Sequence, residues 1–197
     1  MTDERLMLPI GHLVDSGQVR RGADVVELSE RQYAVWALAH GSLPAVQEQF
    51  AWRRESIVAL ARHTGVADAA KLVDELRDLG LLAAIPPDGS EALEFARGHR
   101  VAPLMLGLGN TAAEPGRFAI GFLGQPVLHV DFAVYDLWQW SAMDDTLWAT
   151  CQSAADVAGN GLDPEKLLAT FLSALHPLLL VNAAYIDVSF RLGVVNA

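Results

Sequence analysis

Cysteine is nearly missing from this chain of 197 residues: Cys151 is its only cysteine, which excludes an internal disulfide and a cysteine zinc cluster. A lone thiol is compatible with a reducing compartment, and we expect a cytoplasmic protein. Cations are also scarce, since 14 Lys and Arg stand against 24 Asp and Glu, for a net charge of −10. Residues 101–197 hold only 3 Lys and Arg against 9 Asp and Glu. Such a chain repels phosphate backbones unless its cations gather on one face.

Targeting and membrane signals are lacking as well. Met1–Arg5 is polar and acidic and no long apolar core follows it, so no signal peptide is expected. The segment 167–186 has no charged residue and is long enough to span a bilayer. His176 and Pro177 interrupt it, however, and the pattern favours a buried helix followed by a strand. We therefore expect no contact with a membrane.

The stretch 53–85 carries the clearest pattern of what is present. Ile57, Leu60 and Ala61 recur at helical spacing, and Gly65 suits the left-handed end of a helix. Asp68 is expected to cap the next helix with its side chain. The apolar stripe of that helix consists of Leu72, Val73, Leu76 and Leu79.

Gly80 is expected to close this second helix, and Leu81–Ile85 to form a strand that the following prolines end. A helix, a tight turn, an amphipathic helix and a strand in this order are typical of a winged helix-turn-helix. Any pair of packed helices would give the same apolar spacing. Before this stretch, residues 25–28 predict a strand, Ser29 a cap for a helix from Glu30 to about Ala39, and residues 43–52 a short helix.

The same order returns about a hundred residues later. A hairpin is expected over 118–130, a helix over 146–157 and another helix from Asp163. Tyr135 and Trp138 match Tyr33 and Trp36 at an offset of 102. Other matches fall at an offset of 96: Leu104, Leu106 and Gly107 with Leu8, Ile10 and Gly11, and Leu168, Leu172 and Leu175 with Leu72, Leu76 and Leu79.

These matches predict an α+β, helix-rich fold of two tandem winged-helix-like units related by internal duplication. The expected boundaries are 1–88 for the first unit, 89–102 for a linker and 103–197 for the second unit. Chance similarity between amphipathic segments is the alternative.

A hairpin, a helix with Tyr-x-x-Trp and a final helix with Leu-x-x-x-Leu-x-x-Leu resemble the PqqD-like winged-helix fold over about 10–85 and 104–190. Domains of that family recognise leader peptides in the biosynthesis of ribosomally made, modified peptides. The resemblance implies a peptide that adds as a strand beside the hairpin and against the last helix. The residues expected near a partner are Val26, Leu28, Leu72, Leu76, Val127 and His129. Each of them is also a candidate for the apolar core.

DNA binding is the first alternative, with the chain acting as a transcriptional regulator through its first unit. Phosphate contacts would come from Arg53, Arg54, Arg62 and Lys71. The helix expected to read bases begins with Ala67, Asp68, Ala69, Ala70 and Lys71, which offer a single cation and no Arg, Asn or Gln. Base readout would be poor, so nucleic acid is disfavoured.

An enzyme or enzyme subunit is the second alternative. His129 and Asp131 stand two apart on an expected strand and would share a face, where they would orient a metal or a proton relay. A third metal ligand at suitable spacing is lacking. Cys151 would need a nearby histidine to act as a nucleophile, and its alanine-rich surroundings favour a small buried residue.

The sequence therefore favours a non-enzymatic binding or adaptor protein without catalytic residues, metal or cofactor. Its partner would be a peptide, a protein segment or a second copy of the chain. The identity of the ligand, the oligomeric state and the unit that binds are left open.

Overall fold

The computed structural model describes residues 5–41, 53–159 and 161–189 of the chain. The chain divides into two compact units. Unit 1 contains Met1–Pro86 and Ile186–Val188, and unit 2 contains Pro87–Tyr185 and Ser189–Ala197. Both combine helices with small antiparallel sheets, so the α+β class is confirmed. The short helix expected over 43–52 lies outside the described residues.

Unit 1 begins with four short strands, continues with three helices and returns to a strand. In chain order these are β1 (Leu6–Pro9), β2 (His12–Asp15), β3 (Gln18–Arg21), β4 (Asp24–Glu27), α1 (Glu30–Ala39), α2 (Arg54–His63), α3 (Ala69–Asp78) and β5 (Leu82–Ile85). β1 pairs antiparallel with β5, while β2, β3 and β4 form a three-stranded antiparallel sheet in that order.

Helix α1 starts where its capping residue predicts. The Ser29 hydroxyl accepts a hydrogen bond from the Gln32 amide, and the Gln32 side chain accepts one from the Ser29 amide, so both free donors are satisfied. The expected helix from Glu30 to Ala39 is confirmed. Its Trp36 is buried, and the indole Nε1–H donates to the Ile10 carbonyl at 3.3 Å.

The helices α2 and α3 bury the apolar faces that their sequences present. Their buried residues join those of α1, β1, β3 and the start of β5 in one core cluster. Two expectations at α3 were wrong. The Asp68 side chain does not cap the helix; its carboxylate accepts a hydrogen bond from Arg31 instead. Leu79 follows the last helical residue and is 38% exposed, because the apolar stripe is already complete at Leu76.

Unit 2 has a helix in front of a similar run of strands and helices. Its elements are α4 (Gly89–Gly98), β6 (His99–Pro103), β7 (Leu106–Gly109), β8 (Phe118–Phe122), β9 (Gln125–Val130), α5 (Phe132–Trp140), α6 (Leu147–Ala158), α7 (Pro164–Leu180) and the start of β10 (Ala184–Val188), whose last three residues belong to unit 1. β7, β8 and β9 form a three-stranded antiparallel sheet in that order.

Residues 89–102, expected to be a linker, instead form α4 and most of β6. Ala92, Phe95 and Ala96 stand at helical spacing and are all buried. The turn residues Pro86, Pro87 and Gly89 therefore mark only the approach to this helix.

The last helix, α7, is the longest of the described helices, with 17 residues. Asp163 caps it and Pro164 occupies its first turn, as expected, because proline there loses no intrahelical hydrogen bond. Leu168, Leu172 and Leu175 are buried. None of the helices described is both long enough and apolar enough to cross a membrane.

We predict that Gly11→Ala destabilises unit 1 by about 1–3 kcal/mol more than Gly65→Ala, the usual range for overpacking. Both glycines have left-handed backbones, with φ of +98° and +95°, so the conformational strain of an alanine is similar. A Cβ at Gly11 would lie 2.6 Å from Val19 Cγ1 and 2.7 Å from the Arg20 carbonyl oxygen, whereas one at Gly65 meets nothing within 4 Å. Urea unfolding of the two variants measures the difference. Equal losses would contradict the close packing at Gly11.

Candidate functional site

Strand β9 forms one edge of the three-stranded sheet of unit 2 in the described part of the chain. Along such an edge, alternate residues direct their N–H and C=O groups away from the sheet. β9 is also the longest described strand, with six residues, Gln125–Val130. Apart from Pro126, which has no backbone N–H, its residues carry both hydrogen-bonding groups that a further strand requires.

The side chains of β9 divide between the two faces of the sheet. Leu128 lies opposite Ile120, which is fully buried, so this face packs on the helices. Val127 and His129, which flank Leu128 in the sequence, are exposed, Val127 by 43%. An irregularity in the register between Ile120 and Gly121 interrupts the pairing beside Val127.

Further large apolar side chains are exposed close to β9 in the sequence. Phe122 ends strand β8 with 54% exposure, Leu123 occupies the hairpin turn with 87%, and Phe132 begins α5 with 61%. The Phe132 ring lies 5.5 Å from that of the half-buried Phe118. We call Phe122, Leu123, Val127 and Phe132, with the outer edge of β9, the β9 surface.

The β9 surface contrasts in charge with the corresponding edge in unit 1. β4 is also an edge strand and also exposes a valine, Val25, by 56%. Asp24 and Glu27 accompany Val25 on that strand, and charges of this kind discourage pairing with another chain. β9 contains no Asp, Glu, Lys or Arg. Of the two edges, β9 is the better suited to take a further strand.

The four partner-binding residues predicted in unit 1 lie together, although not on a groove. Leu28, Leu72 and Leu76 are buried members of the unit 1 core cluster, and Val26 is half-buried against it. Their side chains stabilise the core and present no open surface to a ligand. Of the two residues predicted in unit 2, Val127 and His129, both are exposed on β9.

Half of the cations predicted to contact DNA are already paired with carboxylates. Arg54 Nη2 lies 2.8 Å from Asp74 Oδ2, and its Nε donates to Oδ1 of the same carboxylate at 3.2 Å. The Lys71 ammonium lies 3.0 Å from Glu75 Oε1 and lowers the pKa of that carboxyl. Arg53 is half-buried and Arg62 is exposed. Phosphate contacts by Arg54 or Lys71 would have to compete with these pairs.

His129 and Asp131 were expected to orient a metal or a proton relay. In the structure, Asp131 has a different role. Asp131 lies after the end of β9 and caps α5, with its Oδ1 accepting from the Val134 amide at 2.9 Å. Aspartate is a favoured capping residue, which explains its place before the helix. Among the described residues no group of three His, Cys, Asp or Glu side chains is arranged to hold a metal ion.

Cys151 is fully buried on α6. Burial raises the pKa of its thiol to about 12, and the negative charge of Asp144 adds to the effect. Nucleophilic catalysis requires the thiolate, so this environment favours an inert packing role.

Three members of the β9 surface were missed by the sequence reasoning: Phe122, Leu123 and Phe132. The residue type at Leu123 was a signal that the sequence offered. A hairpin loop of two residues normally contains Gly, Asn or Asp, and a leucine there is unusual. Its exposed apolar side chain is not required to form the turn.

Comparisons with family models, with curated proteins and with solved structures found no match to this chain. We therefore infer its function from the chemistry of the described residues.

We predict that iodoacetamide alkylates Cys151 about a thousandfold more slowly in the folded chain than in urea at the same pH. Raising the thiol pKa from 9.0 to about 12 reduces the thiolate fraction by roughly that factor, and burial blocks access as well. Mass spectrometry of timed samples gives both rates. Similar rates in the two states would restore Cys151 as a candidate nucleophile.

We also predict that His176 weakens folding in acid. Burial lowers the pKa of this imidazole from 6.5 to about 4. The unfolded chain then binds more protons between these values, so the free energy of unfolding falls as the pH drops from about 6.5 towards 4. His176→Gln should reduce that fall in urea titrations at pH 7 and pH 4.5, with His63→Gln, at an exposed position, as the control. An unchanged fall in the His176 variant would contradict the assignment.

Proposed function

We propose that the chain is a non-enzymatic binding protein that captures an extended segment of a peptide or protein along β9 of unit 2. The observation that carries this proposal is an uncharged edge strand with an exposed Val127 and with three further exposed large apolar side chains close to it in the sequence. Exposed apolar edges favour pairing with another chain, and natural proteins usually guard them with charges.

Strand addition would divide affinity and selectivity between backbone and side chains. Main-chain hydrogen bonds to the outer edge of β9 would supply affinity for any extended segment. Val127, Phe122 and Phe132 would select apolar side chains on the incoming strand. A second copy of the chain is one such partner, since two β9 edges can pair with each other.

We further propose that the two units descend from one winged-helix-like unit by internal duplication. Apart from α4, which precedes the strands of unit 2, both units have four strands, then three helices and then a final strand in the same order. One cross-strand pair is also comparable: Val19 lies opposite Val26 in unit 1, and Ile120 lies opposite Leu128 in unit 2. Val19 and Ile120 are both fully buried.

The turn after the last helix supports the same proposal. The Leu81 amide donates to the Leu76 carbonyl at 2.8 Å, and the Ala183 amide donates to the Leu178 carbonyl at 2.8 Å. Each turn also contains a left-handed residue, Gly80 or Asn182. The equivalent residues of these two turns lie 102 positions apart in the sequence. Helix α7 is longer than α3, so the offset of 96 that matches their leucines can hold only for the beginning of α7.

We predict that Val127→Lys weakens binding of peptides selected on the wild-type chain from a random display library by at least about tenfold, or 1.4 kcal/mol. The lysine places a charge on the apolar edge and opposes strand addition. Val25→Lys makes the same change at the exposed valine of β4 and should leave binding intact. Fluorescence anisotropy of labelled peptides gives the affinities.

The same experiment can overturn the proposal. Equal affinity of the wild-type chain and Val127→Lys would show that β9 is not the binding edge. Failure to select any peptide would show that it does not capture extended segments. Light scattering over a range of concentrations tests pairing between copies, which Val127→Lys should also weaken.

A further inference from the structure

A groove of about 300 Å³ lies between α5 and α6 of unit 2, and none of its lining residues belongs to the β9 surface. Helix α5 contributes Asp136 and Trp140, which stand four residues apart and so share one face. Leu137, only 1% exposed, lies at the base.

Helix α6 forms the opposite wall through residues at helical spacing. Thr150, Ala154 and Val157 stand at positions i, i+4 and i+7, with Ser153 beside them. Thr150 is 2% exposed, whereas Val157 is 88% exposed. The groove therefore has a buried base and an open apolar rim, to which the 52% exposed Trp140 also belongs.

Two carboxylates give this otherwise apolar groove a negative charge. Asp136 stands on α5, and Asp144 lies in the loop that joins the two helices. The Ser153 hydroxyl donates to Asp144 Oδ1 at 3.3 Å. In the described ranges, no lysine or arginine forms an ion pair with either carboxylate. A cationic ligand would complement this charge.

We propose that the α5–α6 groove binds an arginine side chain of a partner polypeptide. The guanidinium would donate to Asp136 and Asp144 and lie against the exposed indole of Trp140, while the methylene stem would pack on Ala154 and Val157. A planar guanidinium serves several acceptors and an aromatic face together, which an ammonium does less well.

The form of the groove favours a polypeptide over a free amine. Its volume is at the lower end of the range of roughly 300–1,000 Å³ for small-molecule sites, and one side is open. Val157 and Trp140 on the rim can contact apolar residues that flank the arginine. The site shares no residue with the β9 surface, so it stands or falls independently of the strand-addition proposal.

The test uses a capped Leu-Arg-Leu tripeptide, its citrulline analogue and acetyl-arginine amide, each titrated into the full ¹⁵N-labelled chain. The indole N–H signal of Trp140, assigned by its loss in Trp140→Phe, reports binding. We expect the arginine peptide to shift this signal and to bind at least about tenfold more tightly than the neutral, isosteric citrulline peptide. Acetyl-arginine amide, which has the same charge but no flanking residues, should bind more weakly than the arginine peptide.

Charge-removing variants provide the second arm. Asp136→Asn and Asp144→Asn, separately, should each weaken the arginine peptide by several-fold, and added salt should weaken it in the wild type. Asp156→Asn, an exposed substitution on α6 outside this groove, is the matched control and should retain full affinity. Circular dichroism checks that each variant is folded. Because the two substitutions are made in separate chains, the test can still be completed if one variant does not fold.

Several results would overturn the proposal. These are equal affinity for the arginine and citrulline peptides, no movement of the Trp140 signal at millimolar peptide, or full affinity in both Asp136→Asn and Asp144→Asn. Acetyl-arginine amide that binds as tightly as the tripeptide would overturn the assignment to a polypeptide partner, because the flanking residues would then contribute nothing.

Discussion

The indole N–H of one buried tryptophan positions the helix that follows the three-stranded sheet in each unit. Trp36 donates to the Ile10 carbonyl at 3.3 Å, and Trp138 donates to the Ala183 carbonyl at 3.0 Å. A buried donor without an acceptor would cost about 1–3 kcal/mol, so each bond strongly favours one placement of its helix. In unit 2 the capping residue Asp131 joins α5 directly to β9. The position of the exposed edge strand β9 therefore depends on Trp138, which is buried seven residues after Asp131.

Local signals were sufficient where a helix start or stop depends on residues close in sequence. The capping box of Ser29, the proline in the first turn of α7 and the glycine that follows α3 placed helix ends correctly, because each acts through the backbone within one turn. Asp68 was the exception. It has the right residue type at the right position, yet Arg31, which is distant in sequence, competes for its carboxylate.

The sequence did not predict how elements that are distant along the chain pack against one another. Apolar spacing showed that Leu72 and Leu76 share a face, but the spacing is the same whether α1 or a ligand covers that face. For the same reason, α4 was mistaken for a linker: its three buried residues gain their meaning only from the helices packed on them. The α5–α6 groove is formed by two helices and a loop. It could not be predicted from the spacing of Asp136 and Trp140 alone, or from the position of Asp144 alone.

The scarcity of cations acts differently on the two proposed surfaces. A net charge of −10 attracts basic partners over a distance and raises the rate of encounter, without requiring that the final contact be ionic. Recognition along β9 would rest on backbone hydrogen bonds and apolar contacts, which salt screens little, while the α5–α6 groove would rest on two carboxylates. A partner that used both surfaces would therefore lose only part of its affinity in salt. The residual, salt-resistant part would report β9, and the salt-sensitive part would report the groove.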